Sequence, residues 1–353
     1  MEKSRIEVGG LHAQQIMAPS LTVLTGISEF AARPEAVIVH DPVESGGLHA
    51  LTEVPGHVDL EEELLFRSIP SSRDYARQYQ AFVSALRGNG SEVLRLRDII
   101  GDHAAYEAVA GNPNQVFTRD SLMTLPWVPE GYIAGRMKPQ LRRSETTAME
   151  VAANRLGLKE IIRVPDGLFL EGGDFVPFSR EGRRTLLLGY GRRTCLETAH
   201  FLQRTLIPTY LDEIIALSLA SRRINLDGGL LPVAPNVVIA DRESILHGTL
   251  LDEGGGRPFD IWAMFDSLGM TVIDTTAEES VYFQSCNCVC LGNGSIIYYD
   301  MCGRVRDRLI AHGVTVHSIE GSELVKGRGG PRCMSRPIYC PVKVTPRSTQ
   351  RPL

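Results

Sequence analysis

The sequence has no run of about 18 apolar residues, the length a helix needs to cross a bilayer, and its opening MEKSRIEVGGLHAQQ lacks the apolar stretch of a secretory signal. The expected location is therefore cytoplasmic, with no membrane partner. It also lacks a basic excess: 37 Lys and Arg stand against 42 Asp and Glu, a net charge of −5, so no cationic stripe is available to neutralise a phosphate backbone and nucleic acid is excluded as a partner. No paired Cys-x-x-Cys knuckles occur, which argues against a zinc ribbon, and no Gly-x-Gly-x-x-Gly separates a strand from a helix, which argues against a dinucleotide fold. Seven cysteines is an odd number and fits a reducing compartment. Three of them, Cys286, Cys288 and Cys290, alternate as on one face of a strand and read as small buried apolar residues, not metal ligands.

What is present is enough apolar residue, 43% of 353, to bury a large core. Short apolar runs alternate with helical periodicities, so the class is α/β. Ala36 to His40 reads as a strand that ends at Asp41-Pro42; Ser71 opens a helix carrying Tyr75, Tyr79, Phe82 and Leu86, and Gly88-Asn89-Gly90 stops it before a strand over 92–96. The order strand, helix, Gly, strand recurs. A helix over 145–155 precedes a strand over 160–164, a strand over 185–189 precedes a helix over 194–206, and a helix over 304–311 precedes a strand over 314–319. Such recurrence points to pseudo-symmetric modules. Residues 1–33 read as a leader, 34–345 as one domain and 346–353 as a tail.

The chemistry is concentrated in four polar stretches. Asn112 to Asp120, Leu168 to Asp174 and Ile224 to Gly229 each read as an apolar strand that runs out at a carboxylate, the last two followed by paired glycines: Glu171-Gly-Gly-Asp174 and Asp227-Gly-Gly. The fourth, Lys326 to Pro337, brings cations and three glycines to Cys333, where Arg328 and Arg332 would lower the pKa of the thiol. Carboxylates converging on one pocket suit a planar guanidinium, and a thiolate aimed at its central carbon would form a covalent amidino intermediate. Arg328, Arg332 and the pairs Arg142-Arg143 and Arg192-Arg193 are candidates for holding a substrate carboxylate. This chemistry requires no metal and no organic cofactor.

In order and spacing these stretches resemble the motifs of the guanidino-group-modifying superfamily, most closely arginine deiminase, with amidinotransferases and dimethylargininases as neighbours. The resemblance runs from about residue 35 to 340. It implies a five-bladed α/β propeller of ββαβ modules around a substrate channel, with Cys333 as nucleophile, Asp120 and Asp227 gripping the guanidinium, Asp174 completing the acidic set, and Glu171 orienting the general acid/base. It further implies deiminase-type hydrolysis of arginine or a derivative, and a position for Arg328 near the substrate carboxylate. The helical insertion that follows the first blade in arginine deiminases is absent here.

Two positions depart from the family pattern. The catalytic histidine position is occupied by Asn225, and the histidine that precedes the nucleophile is Arg332. An amide does not exchange protons near neutral pH as imidazole does. Four readings follow: another group such as His57 or His247 carries the proton; an amine, not water, accepts the amidino group; the pocket binds guanidinium ligands without chemistry; or a native His was exchanged for Asn225. Whether the chain forms a homo-oligomer is left open by the sequence.

Overall fold

The computed structural model describes residues 27–342 apart from 56 and 58, and the side chains of 62 and 63 are likewise outside the description. Its strands form five sheets. In each, a central strand pairs antiparallel with one neighbour and parallel with another. Ala36–Val39 lies between Arg336–Ile338 and Glu92–Arg95. Val128–Ala134 lies between Leu122–Leu125 and Lys159–Ile162. Arg183–Tyr190 lies between Phe175–Arg180 and Glu213–Leu219, and the hairpin Ile245–Asp252 and Gly255–Phe259 extends that sheet. Val237–Ala240 lies between Leu230–Ala234 and Thr271–Asp274, and Ser295–Tyr299 between Val289–Cys290 and Thr315–Ile319.

Parallel pairing requires a crossover, and each of the five crossovers carries a helix: Ser72–Gly88, Arg143–Arg155, Leu196–Leu206, Ile261–Ser267 and Gly303–Ala311. The first shows why these residues are helical. Ser71 Oγ accepts from the Asp74 amide at 3.4 Å, Tyr75, Tyr79, Phe82, Val83 and Leu86 form one buried stripe, and Gly90 at φ +83° turns the chain out. The central strands are apolar on both faces because they separate two compartments. Val37 and Val39 point into one core cluster while Ala36 and Ile38 point into another, the period-2 alternation of a strand. Each fully buried Val or Ile of this kind contributes roughly 1.5–3 kcal/mol.

The repeated order seen in the sequence is therefore present in the structure, with boundaries shifted by one or two residues. The acidic stretches differ from expectation. None is a strand ending in a carboxylate: each is a tight turn that leads into a strand. Pro113–Val116, Gly172–Asp174 and Leu226–Gly228 are short 3-10 turns, and the strands Leu122–Leu125, Phe175–Arg180 and Leu230–Ala234 begin after them. The acids thus stand at strand entries. Most of the expected leader, residues 1–26, and the tail 346–353 lie outside the described residues; Ser28, Glu29 and Phe30, within the expected leader, are buried in the body of the protein. Cys286, Cys288 and Cys290 are buried as expected, though only Cys290 lies in a strand. No helix among the described residues is long and apolar enough to cross a membrane.

Candidate active site

The first of these turns places Asp120. Its Oδ1 accepts from the Gly173 amide at 3.0 Å and its Oδ2 from Arg142 Nη1 at 2.8 Å, while Arg142 is held from behind by Glu145 at 2.8 and 2.9 Å. The second turn places Glu171 and Asp174. Asp174 Oδ1 accepts from the Leu226 amide at 2.8 Å, and Oδ2 accepts from Thr194 Oγ1 at 2.7 Å and Asn225 Nδ2 at 2.9 Å. Glu171 accepts from Asn225 Nδ2 at 3.3 Å, from Arg193 Nη1 at 3.2 and 3.3 Å, and from the Lys138 amide at 3.2 Å. The third turn places Asp227, whose Oδ2 accepts from Arg332 Nη1 at 2.9 Å.

The C-terminal stretch brings Cys333 to these acids. Its Sγ lies 3.7 Å from Asp227 Oδ2 and 3.1 Å from Asn287 Nδ2, and Asn287 Oδ1 accepts the Cys333 amide at 3.1 Å. Gly330 is required here because a Cβ would overlap the Asn287 carbonyl oxygen. Arg328 takes the left-handed conformation, φ +67°, a strained geometry for a side-chain-bearing residue. Asp120, Asp227, Asn225, Cys333, Arg142 and Arg328 line one cavity of about 610 Å³, counting its open mouth. Arg67, Asn114, Phe117, Arg193, Arg222, Arg223 and Gln284 are also part of its wall.

Acids surround the thiol, and they decide its protonation. Burial pushes the Cys333 pKa well above the usual thiol value, and the charges of Asp227 and Asp120 push it further; the Gly330 backbone and the Asn287 amide oppose the rise. The expectation of a cation-lowered thiol is overturned. Arg332 is fully buried and turned away, spent on Glu29 and Asp227. Asp227 is itself shifted up, by burial first, with Arg332 pulling it back. Asp174 rises to about 8, burial outweighing its hydrogen bonds to Thr194 and Asn225.

Several other expected site residues take different places. Arg332 does not reach the cavity, so it is not a clamp for a substrate carboxylate. Arg192 is exposed on the surface and its neighbour Arg193 lines the cavity instead. Asp174 and Glu171 are buried behind Asn225 and meet it, not the open space. Arg142 faces the cavity but is committed to Asp120 and Glu145. His57 is exposed and His247 pairs with Tyr190 Oη at 3.0 Å, and neither lines the cavity. Of the pair Arg192-Arg193 that the sequence offered, Arg193 is thus the member at the cavity; sequence reasoning missed Glu29, Asn287 and Asn114. The buried Asn114 Oδ1 has no hydrogen-bond partner among the described residues and belongs to the cavity wall, an acceptor left over for a ligand donor. Among the described residues no group of His, Cys, Asp or Glu is arranged to hold a metal ion.

Comparison with known proteins gives consistent results. A family model described as arginine deiminase matches residues 101–248 and 261–340. The chain is similar to the arginine deiminase of Rhodococcus erythropolis, 30% identical over 249 residues, which cover 64% of this chain and 60% of the relative. It is 26% identical over 265 residues to that of Staphylococcus aureus, covering 64% and 62%. The chain thus spans about three fifths of the length of these relatives. Among solved structures it is similar to the N-terminal domain of ArgZ, an arginine dihydrolase from cyanobacteria, with a TM-score of 0.62, 18% identity, and coverage of 87% of this chain and 97% of that one. It is also similar to dimethylarginine dimethylaminohydrolase from Pseudomonas aeruginosa complexed with citrulline, with a TM-score of 0.61, 19% identity, and coverage of 86% and 98%. At those identities the structures speak to the fold alone.

Proposed function

Because this chain belongs to the arginine deiminase family, we propose that it cleaves a C–N bond of the guanidino group of arginine or a close derivative, through a covalent amidino adduct on Cys333. The observation that carries the reading is the meeting of Asp120, Asp227 and Cys333 in one cavity, with Asp227 Oδ2 3.7 Å from the thiol. The five sheets, each with its antiparallel and parallel partner, are read as the five blades around that cavity, and 34–345 as one catalytic domain.

In this proposal the two aspartates receive the substrate guanidinium. Its positive charge offsets the carboxylates that hold the empty-site thiol protonated, so substrate entry itself favours the thiolate. Asp227 is the acid close enough to Sγ to take the thiol proton. The thiolate then adds to the central carbon, ammonia leaves with a proton, and water displaces the thiol to give a ureido product. Among the cations of the cavity wall, Arg328, which also pairs with Glu61 at 3.0 Å, and Arg193, which pairs with Glu171 at 3.2 Å, are our candidates for meeting a carboxylate at the far end of the substrate.

Amidino transfer is the second reading, and Asn225 favours it. With no imidazole beside the adduct to deprotonate water, an amine present as free base attacks without that help. The test is to incubate the protein with arginine, with and without added amines, and measure citrulline, ammonia and amidinated amine, with Cys333→Ala as control. Citrulline without added amine supports hydrolysis; product only with amine supports transfer. Absence of every product and of any amidino adduct by intact mass, with activity equal in Cys333→Ala, would leave a ligand-binding pocket and defeat the proposal.

A further inference from the structure

Beneath the cavity, a carboxylate that comes from outside the four polar motifs is tied to the nucleophile through a line of charges. Glu29 lies 303 positions from Arg332 in the chain, yet its Oε1 accepts from Arg332 Nε at 3.1 Å and from Arg119 Nη1 at 3.0 Å, and its Oε2 from Arg332 Nη2 at 2.7 Å. Arg332 Nη1 then donates to Asp227 Oδ2 at 2.9 Å, the same oxygen that lies 3.7 Å from Cys333 Sγ. All four groups are withdrawn from solvent: side-chain exposures are 5% for Glu29, 0% for Arg332, 1% for Arg119 and 3% for Asp227.

The sign of the charges matters. Arg119, Arg332 and Arg336 form a cationic layer; Arg336 donates to the Arg119 carbonyl at 2.6 Å and to Thr124 Oγ1 at 3.2 Å, and Tyr339 is buried beside the same group. The acids facing this layer are Glu29 from below and Asp227 and Asp120 from the cavity side, and Asp120 already serves Arg142. Without Glu29, Arg332 would have Asp227 as its one carboxylate partner and would draw down the charge that a ligand guanidinium needs. Losing one member of a buried ion network leaves the other charges uncompensated.

We propose that Glu29 is the counter-charge that lets Arg332 fix Asp227 in place without discharging it, a positioning residue for the guanidinium and a regulator of the Cys333 thiol. The substrate half of this inference rests on the function proposed above; the thiol half does not. Replacing the carboxylate by an amide moves two readouts in opposite senses. A guanidinium meets a more positive site and binds less well, whereas the thiolate meets the same excess positive charge and forms more easily. The other charged and polar groups around the thiol, Asp120, Asp227, Asn287 and Tyr299, are unchanged by the substitution, as are the arginines of the cavity wall, Arg67, Arg142, Arg193, Arg222, Arg223 and Arg328.

The experiment compares Glu29→Gln, Arg332→Met and the double variant with the unaltered chain, measuring KM for arginine and the pH profile of Cys333 alkylation by iodoacetamide. For Glu29→Gln the expected results are a KM raised about tenfold or more and an alkylation midpoint lowered by about one pH unit, the two faces of one uncompensated charge. In the double variant, which removes both charges, the alkylation midpoint returns to within about half a unit of its starting value, while KM stays raised because Asp227 has lost the hydrogen bond that fixed it. A Glu29→Gln protein that slows or speeds both readouts together, or a double variant that does not restore the midpoint, overturns the proposal in favour of a purely structural role. If Glu29→Gln does not fold, the charge-neutral double variant decides alone: an alkylation midpoint within about half a unit of the starting value supports the proposal, and a displaced midpoint in a folded double variant overturns it. An unaltered chain that forms no arginine product would defeat the proposed function, while the alkylation profiles would still test the charge line.

Discussion

Asn225→His puts an imidazole where the family pattern has one. Asn225 Nδ2 sits 2.9 Å from Asp174 Oδ2 and 3.3 Å from Glu171 Oε2, with its Cβ close enough to Gly173 that no larger residue fits there. An imidazole at this position would face the same two carboxylates, which favour its protonated form, and would open on the cavity beside Cys333. If the missing proton carrier limits turnover, general acid/base help should raise kcat for arginine by ~10² to 10⁴, or about 3–5 kcal/mol in the barrier. Rapid-quench single-turnover assays resolve which step gains. The adduct should form at a similar rate and hydrolyse faster, because the imidazole activates water more than it activates a thiol that Asp227 already serves. A drop in kcat at an unchanged melting temperature would refute this reasoning. It would mean that the amide has its own task, bridging Glu171 and Asp174 through Nδ2.

Four further outcomes follow from the same geometry. Glu29 is depressed from 4.5 to about 2, its Arg332 and Arg119 partners overcoming burial. A depressed carboxylate contributes stability that is present above its unfolded pKa and lost as pH falls through the folded one; urea melts should show a loss of ~3 kcal/mol between roughly pH 4.5 and 2, absent in Glu29→Gln. Asp174 behaves oppositely: burial raises it to about 8, so the folded state holds the extra proton and stability declines as pH rises from roughly 4 to 8. Asp174→Asn should flatten that limb of the melting-temperature profile, and an unchanged slope would show that Asp174 is ionised throughout. Arg192→Ala should leave KM for arginine within about twofold, since the side chain is exposed and outside the cavity wall. Arg328→Ala should raise KM about tenfold or more with the melting temperature nearly kept, and equal KM values for the two variants would remove Arg328 from the site.

Periodic segments were legible in the sequence because burial on one side of a helix, or on both sides of a strand, leaves a local signature. The helix Ser72–Gly88 shows this, with its cap, its stripe and its terminating glycine all within one 17-residue segment and its flanks. The acidic stretches were read correctly for residue type and incorrectly for backbone. Apolar residues followed by an acid and two glycines fit a strand exit, whereas Gly172 and Gly173 allow a tight turn packed against the Arg119 carbonyl and the Asn225 side chain. Arginine roles were the least legible. Nothing local separates Arg332, with zero exposure, from Arg192 on the surface, because their burial is decided by partners hundreds of residues away. Glu29 carried no signal for the same reason: its stretch lacks periodicity, and its meaning lies wholly in Arg119 and Arg332.

Cys333 also lies close to where the first sheet is completed. Arg336–Ile338, a few residues after Cys333, pairs antiparallel with Ala36–Val39, and the Cys333 carbonyl accepts the Arg119 amide at 3.1 Å. Cys333 therefore reaches its position only when the two ends of the described chain have met, with Glu29 packed beneath. Long-range pairing of this kind is entropically costly to form and is lost together once one member opens. The thiol, half-buried on the cavity wall, is met by a reagent through the cavity mouth, and loosening of that sheet adds to its exposure. Weakening the strand, for instance by Val37→Ala, at an expected cost of about 2 kcal/mol, should raise the alkylation rate at fixed pH without moving the pH midpoint. Glu29→Gln should move the midpoint itself. One variant in the strand and one in the charge line would thus separate access to the thiol from the charge that surrounds it.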